Sequence, residues 1–285
     1  MAETTRDIKR RIKGINSTKQ ITKAMELVSS AKLKRARARM ESARPYYETI
    51  LRNIQDILTI TGNIKHPLLD KREVKNSLYI VISSDRGLAG GYNAGVIRLT
   101  EGEIRKKVAE SKIIAVGIKA RDYFKKRNYD MVGEFTGITE EPKISDAREI
   151  AELSLSLYKN KVVDEINLVF TKFFGAISQE PQILKLLPSE EIYKPSEKTR
   201  TFTEFEPSAE EVLGFLIPKY ISSSIYGGLM EASSSEQAAR RMAMESATDN
   251  AEDMIEELNI SYNRARQAAI TGEITEIVSG ANALK

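Results

Sequence analysis

The sequence predicts an α/β domain carried on a long antiparallel coiled coil. Three observations predict it. All eight prolines fall between Pro45 and Pro218, so the first 44 and last 67 residues are free to form long helices. Those two ends carry opposite charge, a net +9 over residues 1–44 and −6 over residues 208–285, as suits two helices that pair. Between them, over roughly 75–190, strand-like and helix-like stretches alternate as in a sheet covered by helices.

The N-terminal helix is expected over residues 1–60. Ile8, Ile12 and Ile15 step by four and three, as do Ile21, Met25 and Val28, and the pattern resumes at Tyr47, Leu51, Ile54 and Leu58. This is a narrow seam of coiled-coil type. Pro45 interrupts it, and a kink or short break is expected there.

In the middle segment, "SLYIVIS", "KIIAVG", "DEINLVFTKF" and "PQILKLLP" read as strands. Amphipathic stretches at 93–108, 118–127 and 146–160 lie between them. The C-terminal helix is expected over residues 208–285. Ile255, Leu258, Tyr262, Ala265 and Ala269 hold the 3–4 spacing, and Ala239, Ala243 and Ser246 continue it upstream with small residues. About 75 helical residues at about 1.5 Å each would span roughly 110 Å, too long for one compact domain.

Composition removes several function classes. The chain of 285 residues has no cysteine, which excludes disulfides, thiolate metal sites and cysteine nucleophiles. Its one histidine, His66, stands before Pro67 and reads as a loop residue, so histidine-based catalysis has no partners to work with. No window is apolar enough to span a bilayer, and the N-terminus resembles neither a signal nor a transit peptide. A soluble, cytosolic protein is expected, one that could still sit beside a membrane in a complex.

The loop "DRGLAGGYNAG" follows the first strand, where many folds cradle a phosphate. It lacks both the dinucleotide spacing G-x-G-x-x-G and the P-loop spacing. The reading from the residues is a tight strand-to-helix turn with left-handed glycines. Asp85 and Arg86 would serve as a capping acid and a surface cation, or as a contact point for a partner. "KLKRARARM", residues 32–40, alternates cations with Ala and Leu and interleaves no aromatics. It therefore reads as a solvated or acid-facing helix surface ahead of an RNA-binding stripe. The acids of the C-terminal helix fall all around it, without metal-ligand spacing.

Three stretches carry a family resemblance. "TKQITKAMELVSSAKLKRA", "SSDRGLAGGYNAG" and "RQAAITGEITEIVSGANAL" resemble, in order and over nearly the whole chain, the γ subunit of F-type ATP synthases. The resemblance implies an antiparallel coiled-coil shaft with an inserted Rossmann-like α/β domain. It also implies a role as the central-stalk rotor of a proton-translocating synthase, passing torque between the membrane c ring and the hexamer of α and β subunits and helping to regulate ATPase activity. Catalytic residues would lie on the β subunit, so this chain would be non-catalytic, with no cofactor of its own.

The same resemblance assigns contacts residue by residue. Arg266 and Gln267 match the pair that hydrogen-bonds a catch loop of β, with Thr271, Glu273 and Glu276 following on the same helix. Met25 matches the position facing an acidic lever loop of β, with Arg240 near it across the coiled coil. The basic face through Lys32, Lys34, Arg35 and Arg37 would attract that acidic loop. Phe205 and Glu206 would form the foot on the c ring and ε subunit. Ile277, Val278, Ala281 and Leu284 would be the apolar tip in the sleeve of the hexamer.

The chain departs from the family pattern in places. Arg241 stands where the family usually has Met, which brings a charge close to the seam, and Ala89 where it often has Cys. The regulatory dithiol segment of the chloroplast type is missing. A bacterial protein is expected, on the cytoplasmic face of the plasma membrane, without direct membrane insertion or nucleic acid. Two rival readings stay open from the residues alone: a nucleotide-binding α/β enzyme, and a coiled-coil RNA-binding protein.

Overall fold

The computed structural model describes residues 4–61, 66–69, 72–189, 192 and 205–283. The elements are α1 (Thr5–Thr61), β1 (Asn76–Ile82), α2 (Tyr92–Lys106), β2 (Glu110–Val116), α3 (Ile118–Lys126), β3 (Asp130–Phe135), α4 (Ile144–Lys159), β4 (Glu165–Phe173), β5 (Gln179–Leu187) and α5 (Ala209–Ala283). They group into two compact units, one of residues 30–240 and one of residues 1–29 with 241–285.

The unit of residues 30–240 is built on a five-stranded sheet in the order β3-β2-β1-β4-β5. β1 pairs in parallel with β2 and β4, β2 in parallel with β3, and β5 runs antiparallel to β4. β1 is buried on both faces, which is why it reads as a continuous apolar run rather than an alternating one. On one face Tyr79, Val81, Ile113, Ala115 and Val169 pack with Val96, Ile97, Ala120 and Phe124 of α2 and α3. On the other, Leu78, Ile80, Ile166, Leu168 and Phe170 share a core with α4 and with Ile50, Ile54 and Ile57 of α1 and Ile217, Tyr220, Ile221 and Ile225 of α5. Each such side chain contributes about 1.5–3 kcal/mol. Gly228 lets α5 lie this close, since a Cβ there would meet Leu168 Cδ2 at 2.8 Å.

Two features differ from expectation here. Of the kink or short break expected at Pro45, the break is absent: α1 is continuous through it. The proline is exposed and its ring displaces no packing. The lost hydrogen bond is offset by the residues just beyond it, from Tyr47 to Ile57, which anchor the helix in the core. β3 is an additional strand. It lies at the sheet edge and carries Asp130, Gly133 and Glu134, so it has no apolar run to mark it. His66 lies in a turn, where its Nδ1 accepts from Leu68 N at 3.3 Å.

In the other unit α1 and α5 are antiparallel, since Lys19 pairs with Glu252 at 2.8 Å and Thr22 with Thr248 at 2.8 Å. Thr4 caps α1, accepting from Asp7 N. The α5 seam contains the expected Ile255, Leu258, Tyr262 and Ala265, but continues upstream through Ala251, Thr248 and Met244, with Ser246 and Ala269 exposed. On α1 the covered positions are Ile8, Ile12, Ile15, Thr22, Met25 and Ser29, while Ile21 and Val28 are 60% and 53% exposed. The 3–4 spacing survives, but its line passes through small polar residues next to the apolar ones expected to carry it.

Candidate functional site

Asp85 organises the end of the sheet where β1, β2 and β3 stop. Its carboxylate accepts from Ile118 N at 3.2 Å and Gly137 N at 2.9 Å, and from the hydroxyl and N–H of Thr139 at 2.8 and 3.3 Å. It thus accepts from the first N–H of α3, not of α2, the helix that follows its own loop, and also ties down the β3–α4 loop. Gly117 belongs to the same knot: its φ is +91° and a Cβ would lie 2.6 Å from Ser83 O, so only glycine fits. In the glycine loop itself Gly90 is left-handed, but so is Leu88, while Gly91 has φ −83°.

Several hydrogen-bonding groups of this loop are used within the chain. Ser84 N donates to Asn93 Oδ1 at 2.9 Å, and Gly87 O accepts from Arg240 at 3.3 Å. Arg240 is buried and bound to Glu236 at 2.6 Å, one turn away on α5. Burial pushes the Glu236 carboxyl up, with Arg240 opposing it. The β3–α4 loop completes the arrangement. Glu140 pairs with Lys32 of α1 and approaches Arg86 at 3.9 Å, while its backbone O accepts from Ser233 of α5 at 3.2 Å. Glu141 pairs with Arg39 at 3.4 Å.

A second polar cluster lies where β1 and β4 start. Glu165 is buried and accepts from Lys107, from Lys185 at 2.9 Å, from Ser77 at 2.8 Å and from Asn167 at 3.0 Å. Burial raises its carboxyl, but the hydrogen bonds from Lys107, Lys185, Ser77 and Asn167 outweigh this and hold it at about 2. All of these partners come from the chain itself, so the cluster is a fastening of the sheet.

The residues named from the sequence fall into distinct settings. Lys32 and Arg240 are brought together around the sheet-end loops and engaged there. Lys34, Arg35 and Arg37 are exposed, and Arg37 pairs with Glu41 at 2.8 Å. Met25 is half-buried. Phe205 packs against the main core, and Glu206 is exposed beside it. Arg266, Gln267, Thr271, Glu273, Glu276, Ile277, Val278 and Ala281 all lie on a stretch of α5, residues 266–282, exposed at every position. Leu284 lies outside the described residues. Arg241 is half-buried on the seam and pairs with Glu245 at 3.5 Å.

Glu140, Glu165 and Glu236 were not singled out from the sequence. The four-residue spacing of Glu236 and Arg240 was a visible signal, and so was an acid opening the apolar run "EINLVF". Nothing local marks Glu140, whose partners are distant in the chain. Among the described residues no cluster of His, Asp and Glu could hold a metal ion.

Comparison with known proteins gives a consistent result. The family model described as ATP synthase matches residues 4–284. The ATP synthase gamma chain of Alkaliphilus metalliredigens is 56% identical, with 98% of each chain covered. The sodium-ion-specific gamma chain of Acetobacterium woodii is 46% identical over the whole of both chains. Among solved structures, the central stalk and c ring of the Tetrahymena thermophila mitochondrial synthase contains a chain of TM-score 0.61 and 25% identity, with 80% of this chain and 99% of that one covered. A chain of the Euglena gracilis mitochondrial synthase reaches TM-score 0.69 at 20% identity, with 98% and 94% covered, and shares the fold.

Proposed function

This chain belongs to the ATP synthase gamma-chain family, and on that premise we propose how its surfaces are used in the enzyme. The gamma chain is the non-catalytic central-stalk subunit, a rotor that works between the membrane part and the catalytic part. Among the described residues no helix is long and apolar enough to cross a membrane, which fits a peripheral subunit.

The exposed end of α5 carries the reading. Ile270, Ile274, Ile277 and Val278 recur at helical spacing along residues 266–282, and Ile277 is 70% exposed. An apolar stripe on a helix end that no other described residue covers calls for cover from another chain. In our reading the sleeve is the hexamer of α and β subunits, with Ile277, Val278, Ala281 and Leu284 at its closed end. Arg266 and Gln267 hydrogen-bond a loop of β, and Thr271, Glu273 and Glu276 line the same contact. Met25 and the cations Lys34 and Arg35 face the acidic lever of β. Lys32 and Arg240, assigned to that contact from the sequence, are largely spent inside the chain. Phe205 and Glu206 rest on the c ring and the ε subunit, at the cytoplasmic face of the membrane.

The test is reconstitution of the purified chain with its cognate α and β subunits. One copy per hexamer, with ATPase activity altered by Arg266→Ala and Gln267→Ala, supports the reading. Absence of co-migration under every nucleotide condition overturns it.

A further inference from the structure

We propose that the glycine loop and the β3–α4 loop form a collar that grips both shaft helices, with Asp85 and Glu140 as the positioning residues through which torque passes between the sheet and the shaft. This rests on the rotor reading and adds to it the place where load is transferred.

A helix pair packed on a sheet through apolar side chains alone can slide, because dispersion contacts have no direction. Hydrogen bonds and ion pairs fix both distance and angle. The polar links of this kind between the sheet-end loops and the helices are gathered at one level. On α1, Lys32 and Arg39 are held by Glu140 and Glu141. On α5, Ser233 donates to Glu140 O and Arg240 donates to Gly87 O.

These links share one support. Asp85 binds Gly137 and Thr139, which open the loop bearing Glu140, and begins the loop bearing Gly87. Glu140 touches α1 through its carboxylate and α5 through its carbonyl. Both helices are thus tied to the two loops that Asp85 and Glu140 support, in addition to the direct links of α5 to β4, where Ser235 donates to Thr171 O at 3.1 Å and Phe173 N donates to Glu231 at 3.3 Å. The α5 side of the collar is dry, since Thr139, Ser233, Glu236 and Arg240 are buried, and polar links hold better where water does not compete; on the α1 side the Lys32–Glu140 and Arg39–Glu141 pairs are a third or more exposed.

The test uses the assembled synthase in vesicles and reads ions transported per ATP hydrolysed. Glu140→Lys and Lys32→Glu each place like charges at the collar and lower that ratio by about threefold. The double variant with both charges exchanged recovers at least half of the loss. Arg39→Glu and Glu141→Arg repeat the design at the second pair. An unchanged ratio in the single variants, or no recovery in the exchanged pair, overturns the collar. If wild-type chain supports no coupled transport, the rotor reading fails instead. Should Glu140→Lys not assemble, Glu140→Gln in the free chain decides: faster backbone hydrogen exchange at residues 137–141 supports the collar, and unchanged exchange overturns it.

Discussion

The hydroxyls of Thr22 and Thr248 meet at 2.8 Å inside the helix pair, 226 residues apart in sequence. Each also reaches its own helix, Thr22 to Lys19 O at 3.0 Å and Thr248 to Met244 O at 2.8 Å. Removing one hydroxyl leaves the other buried with a poorer set of partners. Thr22→Val should cost about 1–2 kcal/mol, whereas Thr22→Val with Thr248→Val should be closer to neutral, because an apolar pair leaves nothing unsatisfied. Urea unfolding of the four members of this cycle checks it. Additive losses would show that the two threonines do not act on each other.

Glu165 makes the stability of the sheet depend on acid. Its folded carboxyl sits at about 2 against an ordinary 4.5. A carboxylate held below its unfolded value stabilises the fold fully above about pH 4.5, and that share is lost as pH falls toward 2. The effect is on the order of 3 kcal/mol. Glu165→Gln should remove most of this dependence and destabilise the protein at neutral pH by about 2–3 kcal/mol, since Lys107 and Lys185 would be left facing a neutral amide. Melting curves of both proteins between pH 3 and pH 7, on an order of one unit per step, would show it. Parallel curves for the two would rule it out.

Gly228 is where α5 lies closest to the sheet. Ala at this position puts a Cβ 2.8 Å from Leu168 Cδ2, so α5 or Leu168 must shift. The expected cost is about 1–3 kcal/mol, even though Ala is the better helix former by about 1 kcal/mol. Leu168→Ala in the same chain should relieve part of it. If Gly228→Ala is instead stabilising, helix propensity has won and the packing there is loose.

Strand and helix alternation was legible wherever burial makes long apolar runs, as in β1 and β4, and the α5 seam was legible at Ile255, Leu258, Tyr262 and Ala265 but not at Ala269 and Ser246, which are exposed. The α1 seam was legible in period but not in phase. Ile21 and Val28 are more apolar than Thr22 and Ser29, yet the polar pair is buried. Hydrophobicity marks a buried face only when no other surface is meant to be covered, and here two faces of one helix carry apolar residues. The collar was hidden for a different reason: Asp85, Glu140 and Arg240 meet only through the fold. A resemblance to relatives could name Arg240 as important without saying that its partner is Gly87.

The exposed end of α5 separates stability from assembly. Residues 266–282 are exposed throughout, so replacing Ile274 and Ile277, 55% and 70% exposed, by Asp removes little packing among the described residues. The free protein should melt within about 0.5 kcal/mol of wild type, with at most a small loss of helix at that end. Assembly should respond very differently. If these side chains enter an apolar sleeve, two buried carboxylates oppose entry, and binding to the hexamer should weaken by at least about 100-fold. Thermal melting of the free chain and titration onto the α and β subunits give the two readings. Equal affinity with equal melting would mean that this stripe is not what the sleeve covers, and the apolar contact must then be sought at Ile21, Leu27 and Val28 of α1, which are exposed as well.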